Sequence, residues 1–81
     1  NIQFYLGNYS NITKLSNNNN LLAFNDNEDQ IWILDLKKGT KEKISSGEKG
    51  YYNPNFSNSD NFLLYQALNG EIYIYNILLS Q

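Results

Sequence analysis

The chain contains no cysteine, no histidine and no methionine, and only one proline and one tryptophan. Without cysteine there is no disulfide framework and no thiolate metal site, so the staples on which many small secreted domains rely are missing. Without histidine, no Ser-His-Asp set and no Cys-His pair can be assembled from this chain, and hydrolysis by such a set is excluded. Positive charge is also scarce: six Lys and Arg against eight Asp and Glu leave a net charge of −2 and a pI near 4.8. A nucleic-acid surface needs a basic patch, so nucleic acid is not expected as a partner. No apolar run approaches the roughly 20 residues that cross a bilayer. The opening NIQFYLGNYS lacks the basic flank and long apolar centre of a signal peptide. Membrane insertion is therefore not expected. The chain does not begin with Met, and a processed product or a piece of a longer chain is the expectation.

At 81 residues there is room for one small domain, and chains this short bury only about 60% of their unfolded surface. Stability must then come from packing against something further. Asparagine, by contrast, is abundant, as in residues 17–20. Its side chain hydrogen-bonds the local backbone and it tolerates the left-handed region, which suits tight connections.

What the chain does contain is a sentence said twice. Residues 15–36, LSNNNNLLAFNDNEDQIWILDL, align without a gap on residues 56–77, FSNSDNFLLYQALNGEIYIYNI. Ser16 falls on Ser57, Phe24 on Tyr65, Ile31 on Ile72, Trp32 on Tyr73 and Asp35 on Asn76, at a constant offset of 41 residues. A fixed period near 40 residues marks a repeat architecture. The two repeats run over about residues 7–45 and 46–81.

Within each copy the apolar segments are of strand length, at residues 21–24, 31–36, 62–65 and 72–77, and Asn, Asp and Gly separate them. Asn69-Gly70 predicts a type I′ hairpin, in which both central residues have positive φ; Glu28-Asp29 in the first copy predicts a different turn. In Ile72-Tyr73-Ile74-Tyr75-Asn76-Ile77 both alternating sets are mostly apolar or aromatic. A sheet wet on one side would show a polar residue at every second place, so both faces must be covered. Charged residues 40–45 read as an outer edge strand that resists pairing with strangers, and residues 12–15 and 53–56 as short inner strands, Pro54 opening the second.

The fold class expected is all-β: two four-stranded antiparallel blades of a β-propeller, permuted so that an outer strand comes first. Residues 2–6 would be that strand, completing the last sheet by ring closure or within a neighbouring chain. The turn Phe56-Ser57-Asn58-Ser59-Asp60-Asn61, the strand Phe62-Leu63-Leu64-Tyr65 and the hairpin Asn69-Gly70-Glu71-Ile72-Tyr73 resemble the TolB-like, WD-repeat-like propeller repeat. That repeat runs from a Pro-x-Trp-Ser-Pro-Asp-Gly turn to a Gly-x-x-x-Ile-Tyr hairpin. Here Phe56 or Leu15 stands at the usual Trp, Asn58 or Asn17 at the usual Pro, and Asn61 or Asn20 at the usual Gly. The resemblance implies six- or seven-bladed rings that act as protein-binding platforms in the bacterial envelope or as caps on serine peptidases. Two blades cannot close a ring, so further blades of a longer chain or self-association into a homo-oligomer must complete it.

Other constellations carry less. Residues 25–29 look like the start of a calcium loop, but Gln30 stands where Gly is required and Leu36 where a bidentate Glu belongs. No metal and no cofactor are expected. Glu28 and Asp29 show no apolar pocket of the kind that shifts a general acid. Tyr9, Tyr51 and Tyr52 lie in connections that open on one rim of a propeller, and tyrosine suits interfaces because it offers large amphipathic area at low entropy cost. They are the candidate binding residues, against the alternative that they pack between blades. Trp32, Tyr73 and Tyr75 are expected in the core. The expected function is a non-catalytic scaffold meeting a protein or peptide. The competing expectations are a substrate-gating propeller of a peptidase whose catalytic domain lies outside this chain, and sugar binding by the rim tyrosines.

Overall fold

The computed structural model describes residues 13–81, and over these the chain is all-β. Seven strands follow one another: β1 (Thr13–Leu15), β2 (Leu21–Asn25), β3 (Ile31–Asp35), β4 (Thr40–Lys43), β5 (Tyr51–Phe56), β6 (Phe62–Ala67) and β7 (Ile72–Asn76). They form two antiparallel meanders, a four-stranded sheet in the order β1-β2-β3-β4 and a three-stranded sheet in the order β5-β6-β7. The expected outer strand is β4, exposed throughout. Residues 2–6, expected as the fourth strand of the second sheet, lie outside the described residues.

The 41-residue period holds in the backbone as well as in the letters. Ser16 N–H donates to Leu21 O at 2.8 Å and Ser57 N–H to Phe62 O at 2.9 Å, while Asn19 N–H reaches Ser16 O and Asp60 N–H reaches Ser57 O, both at 3.0 Å. Each of these turns has one left-handed residue, Asn19 (φ 65°) or Asp60 (φ 64°). The glycine-like place in the turn is thus one residue earlier than Asn20 and Asn61, where the resemblance put it. Asn and Asp hold it because their short side chains tolerate the left-handed region.

The β2–β3 and β6–β7 hairpins correct a second expectation. Both are three-residue loops closed by a type I turn and one left-handed residue: Asp29 N–H bonds Asp26 O and Gly70 N–H bonds Ala67 O, with φ of 60° at Asp29 and 94° at Gly70. Asn69 has no positive φ, so the loop is not type I′, and the two copies use the same turn rather than different ones. Asp29 takes the glycine place in the first loop, and the Asp26 carboxylate braces that loop. Its Oδ1 accepts from Glu28 N–H at 2.8 Å and Gln30 N–H at 2.9 Å.

Pro54 does not open its strand, because β5 begins at Tyr51. The register of β5 against β6 slips between Tyr52 and Asn55, and Asn53 there has φ 59°. A bulge leaves residues unpaired, which is how an edge strand accommodates a residue without an N–H.

The core lies between the sheets. Ala23, Ile31 and Ile33 of the first face Tyr51, Leu63, Tyr65 and Ala67 of the second, and Leu21, Tyr73 and Tyr75 pack around them half-buried. On the other face of the first sheet, Phe24 and Leu34 are also buried, and Phe24 stacks on Trp32 with centroids 6.5 Å apart. Covering of both faces is thus met in the first sheet. Leu63→Ala, which opens a void at a fully buried position, should cost about 2–5 kcal/mol, whereas Leu78→Ala at a position 74% exposed should cost within about 0.5 kcal/mol. Urea unfolding followed by tyrosine fluorescence measures both.

Candidate interaction site

Three tyrosines were candidates, and the structure places them differently. Tyr51, at the start of β5, is buried, its ring edge-on to Tyr65 (5.6 Å) and Tyr73 (5.7 Å), which stack on each other at 5.6 Å. Its hydroxyl donates to Ser46 O at 2.5 Å, and its carbonyl accepts from Asn25 Nδ2 at 2.6 Å. Tyr51 therefore ties the sheets together and presents no ring to solvent. Tyr52, next in the strand, points the other way and is 41% exposed. Tyr9 lies outside the described residues. Tyr73 and Tyr75 pack against the core and Trp32 is half-buried, its N–H donating to Asp26 Oδ2 at 2.7 Å.

Sequence reasoning missed the feature that joins the two copies. Asp60, in the β5–β6 turn, lays its carboxylate over the matching β1–β2 turn. Oδ1 accepts from Asn17 N–H at 2.9 Å and from Asn17 Nδ2 at 2.8 Å, and Oδ2 from Asn18 N–H at 2.8 Å. Two successive N–H groups on a tight turn make a small anion-binding concavity, and three charge-assisted bonds fill it. Burial pushes the Asp60 carboxyl up, but the bonds from Asn17 and Asn18 outweigh it and hold the group below the usual carboxylate range. The partners lie 42 and 43 residues away in sequence, beyond the reach of any local pattern.

A second polar group sits on the surface beside the β6–β7 hairpin. Glu71 Oε1 receives Lys49 Nζ at 2.5 Å, Tyr73 Oη at 2.8 Å and Asn69 Nδ2 at 3.1 Å. Hydrogen bonding from Lys49 is the main reason that the Glu71 carboxyl falls to about 2 and that the Lys49 ammonium is pushed up. Both side chains are about half exposed, so solvent screens the pair and its contribution to stability is small. Among the described residues no group of three or more Asp and Glu converges as a metal site would.

Among the described residues, the far face of the second sheet is an uncovered apolar surface. Phe62, Leu64, Ile72 and Ile74 are 39%, 37%, 64% and 63% exposed, and the register sets Leu64 opposite Ile74. A groove of about 490 Å³ is lined by the apolar Leu21, Ile33, Tyr75 and Ile77 and by charges of both signs, Asp35 and Glu42 beside Lys38 and Lys41. No family model, curated protein or solved structure matches the chain.

Asp26, Asp60 and Glu71 all have carboxyls below their ordinary values. Groups of this kind stabilise the fold fully above their unfolded values, and lose that contribution as pH falls through the folded ones. The urea midpoint should thus hold near neutrality, begin to fall below about pH 5, and keep falling toward pH 2. The double variant Asp60→Asn, Glu71→Gln should be less stable at pH 7 and show a shallower acid decline; an unchanged decline would mean that these carboxylates do not set it.

Proposed function

We propose that the chain forms two successive blades of a TolB-like β-propeller and works as a non-catalytic scaffold that meets a protein or peptide. One observation carries this reading. Two meanders repeating every 41 residues stack face to face, and the far face of the second is apolar and uncovered. A repeat unit of this kind cannot bury its own faces and needs neighbours on both sides, and radial repetition is one way to supply them. Further blades of a longer chain or further copies of this one complete the ring. Residues 2–6 or a neighbouring chain supply the strand that pairs with β7. The partner meets the rim at residues 46–52, where Tyr52 is exposed and Tyr51 holds the connection in place through Ser46.

The test is absolute mass by light scattering after size exclusion, over a tenfold concentration range, for the wild-type chain and Ile74→Asp. Closure by copies of the chain predicts a trimer or tetramer that Ile74→Asp reduces to monomers. A wild-type monomer assigns closure to further repeats of a longer chain. An oligomer indifferent to Ile74→Asp, with the charge placed in the middle of the uncovered face, would refute the blade reading.

A further inference from the structure

The uncovered face of the second sheet is a copy of a face whose occupant is visible. Moving back 41 residues, Phe62, Leu64, Gln66, Ile72 and Ile74 fall on Leu21, Ala23, Asn25, Ile31 and Ile33. Those five residues are the face of the first sheet on which the second lies, and Ala23, Asn25, Ile31 and Ile33 are buried there. The turn beside this face is copied too. Asn58 and Ser59 stand where Asn17 and Asn18 stand, and Asp60 N–H closes their turn onto Ser57 O just as Asn19 N–H closes the first onto Ser16 O. Asn58 brings the same side-chain amide as Asn17. The donors that hold the Asp60 carboxylate in the first turn are therefore all present in the second: two successive backbone N–H groups and one Nδ2. Among the described residues no carboxylate lies over them.

From this we infer that the Asn58–Ser59 turn and the Phe62, Leu64, Ile72, Ile74 face form one docking site, whose occupant is a third repeat of the same kind with a carboxylate at the place of Asp60. The inference rests on the blade reading and adds to it a chemical requirement on the neighbour. Apolar contact alone is indifferent to register along a face of Ile and Leu, whereas a carboxylate over two N–H groups fixes the position to one register. A second copy of this chain meets the requirement poorly. Its residue at the Asp60 place is the neutral Asn19, and the face it would present holds Phe24 and Leu34, which are already buried.

The test extends the full chain by appending residues 41–81 after Gln81, which keeps the 41-residue spacing, supplies a strand after β7 and delivers a copy of Asp60 to the Asn58–Ser59 turn. Amide hydrogen exchange is read by NMR in the 81-residue chain, in the extended chain, and in the extended chain with Asp60→Asn in the appended copy. Exchange at Asn17 and Asn18 in the 81-residue chain, with and without Asp60→Asn, calibrates what one carboxylate does. The expected result is that Asn58 and Ser59 exchange roughly tenfold more slowly in the extended chain, and that Asp60→Asn in the appended copy removes this slowing. Protection of the appended strands without slowing at Asn58 and Ser59 would overturn the carboxylate requirement and leave the blade reading standing. An appended segment that stays unprotected would overturn both. Concentration-dependent slowing at Asn58 and Ser59 in the 81-residue chain itself would also overturn the requirement, since the occupant would then be a second copy bearing Asn19.

Discussion

A sheet with apolar side chains on both faces cannot stand alone in water, and most of what this chain does follows from that constraint. In the first sheet both faces are closed: Ala23, Ile31 and Ile33 lie against the second sheet, and Phe24 and Leu34 are buried on the other side. In the second sheet only one face is closed, by Leu63, Tyr65 and their neighbours, and the other leaves Ile72 and Ile74 nearly two-thirds exposed. The asymmetry is in the surroundings and not in the strands, since the residues at matching places are of the same kind. In the proposed reading the second sheet is a blade whose outer face takes a neighbour.

Apolar burial holds the sheets together, but it has little power to say where along each other they sit. Polar groups take that role. Tyr51 reaches across to Ser46 and to Asn25 from one side of the core, and Asp60 locks one turn onto its counterpart from another. The asparagine-rich composition acquires a specific meaning here. Asn19 and Asn53 supply left-handed backbone without glycine, Asn17 supplies an amide donor to Asp60, and Asn76 caps the turn after β7 as Asp35 caps the turn after β3. Using Asp rather than Gly at residue 60 satisfies a turn and adds a charged acceptor in the same stroke.

The aromatic residues divide by the same logic. Tyr51, Tyr65 and Tyr73 form a packed cluster between the sheets, whereas Tyr52 is directed to solvent by the alternation of its strand. The chain thus has a packed aromatic interior and a small exposed set, and in the proposed binding role the exposed surface does the recognition.

The all-β class, the 41-residue period and the places of β2, β3, β6 and β7 were legible in the sequence, because short runs of Ile, Leu, Tyr and Phe broken by Asn, Asp and Gly leave the backbone few alternatives, and β1 and β4 followed from the repeat and from the charge expected of an edge strand. Turn details were less legible. That Asp29 would copy Gly70, and that Pro54 would sit at a bulge inside β5, depends on side-chain hydrogen bonds and strand register that no dipeptide rule contains. That Tyr51 packs between the sheets was one of the two readings the sequence left open, and the role of Asp60 was not legible at all. Local sequence determines which way a side chain points from its own strand, but whether that direction leads to water or to another sheet is decided by chain some 40 residues away. Only the stacking of the two copies brings Asp60 over Asn17 and Asn18, and only that contact turns a loop aspartate into the lock between them.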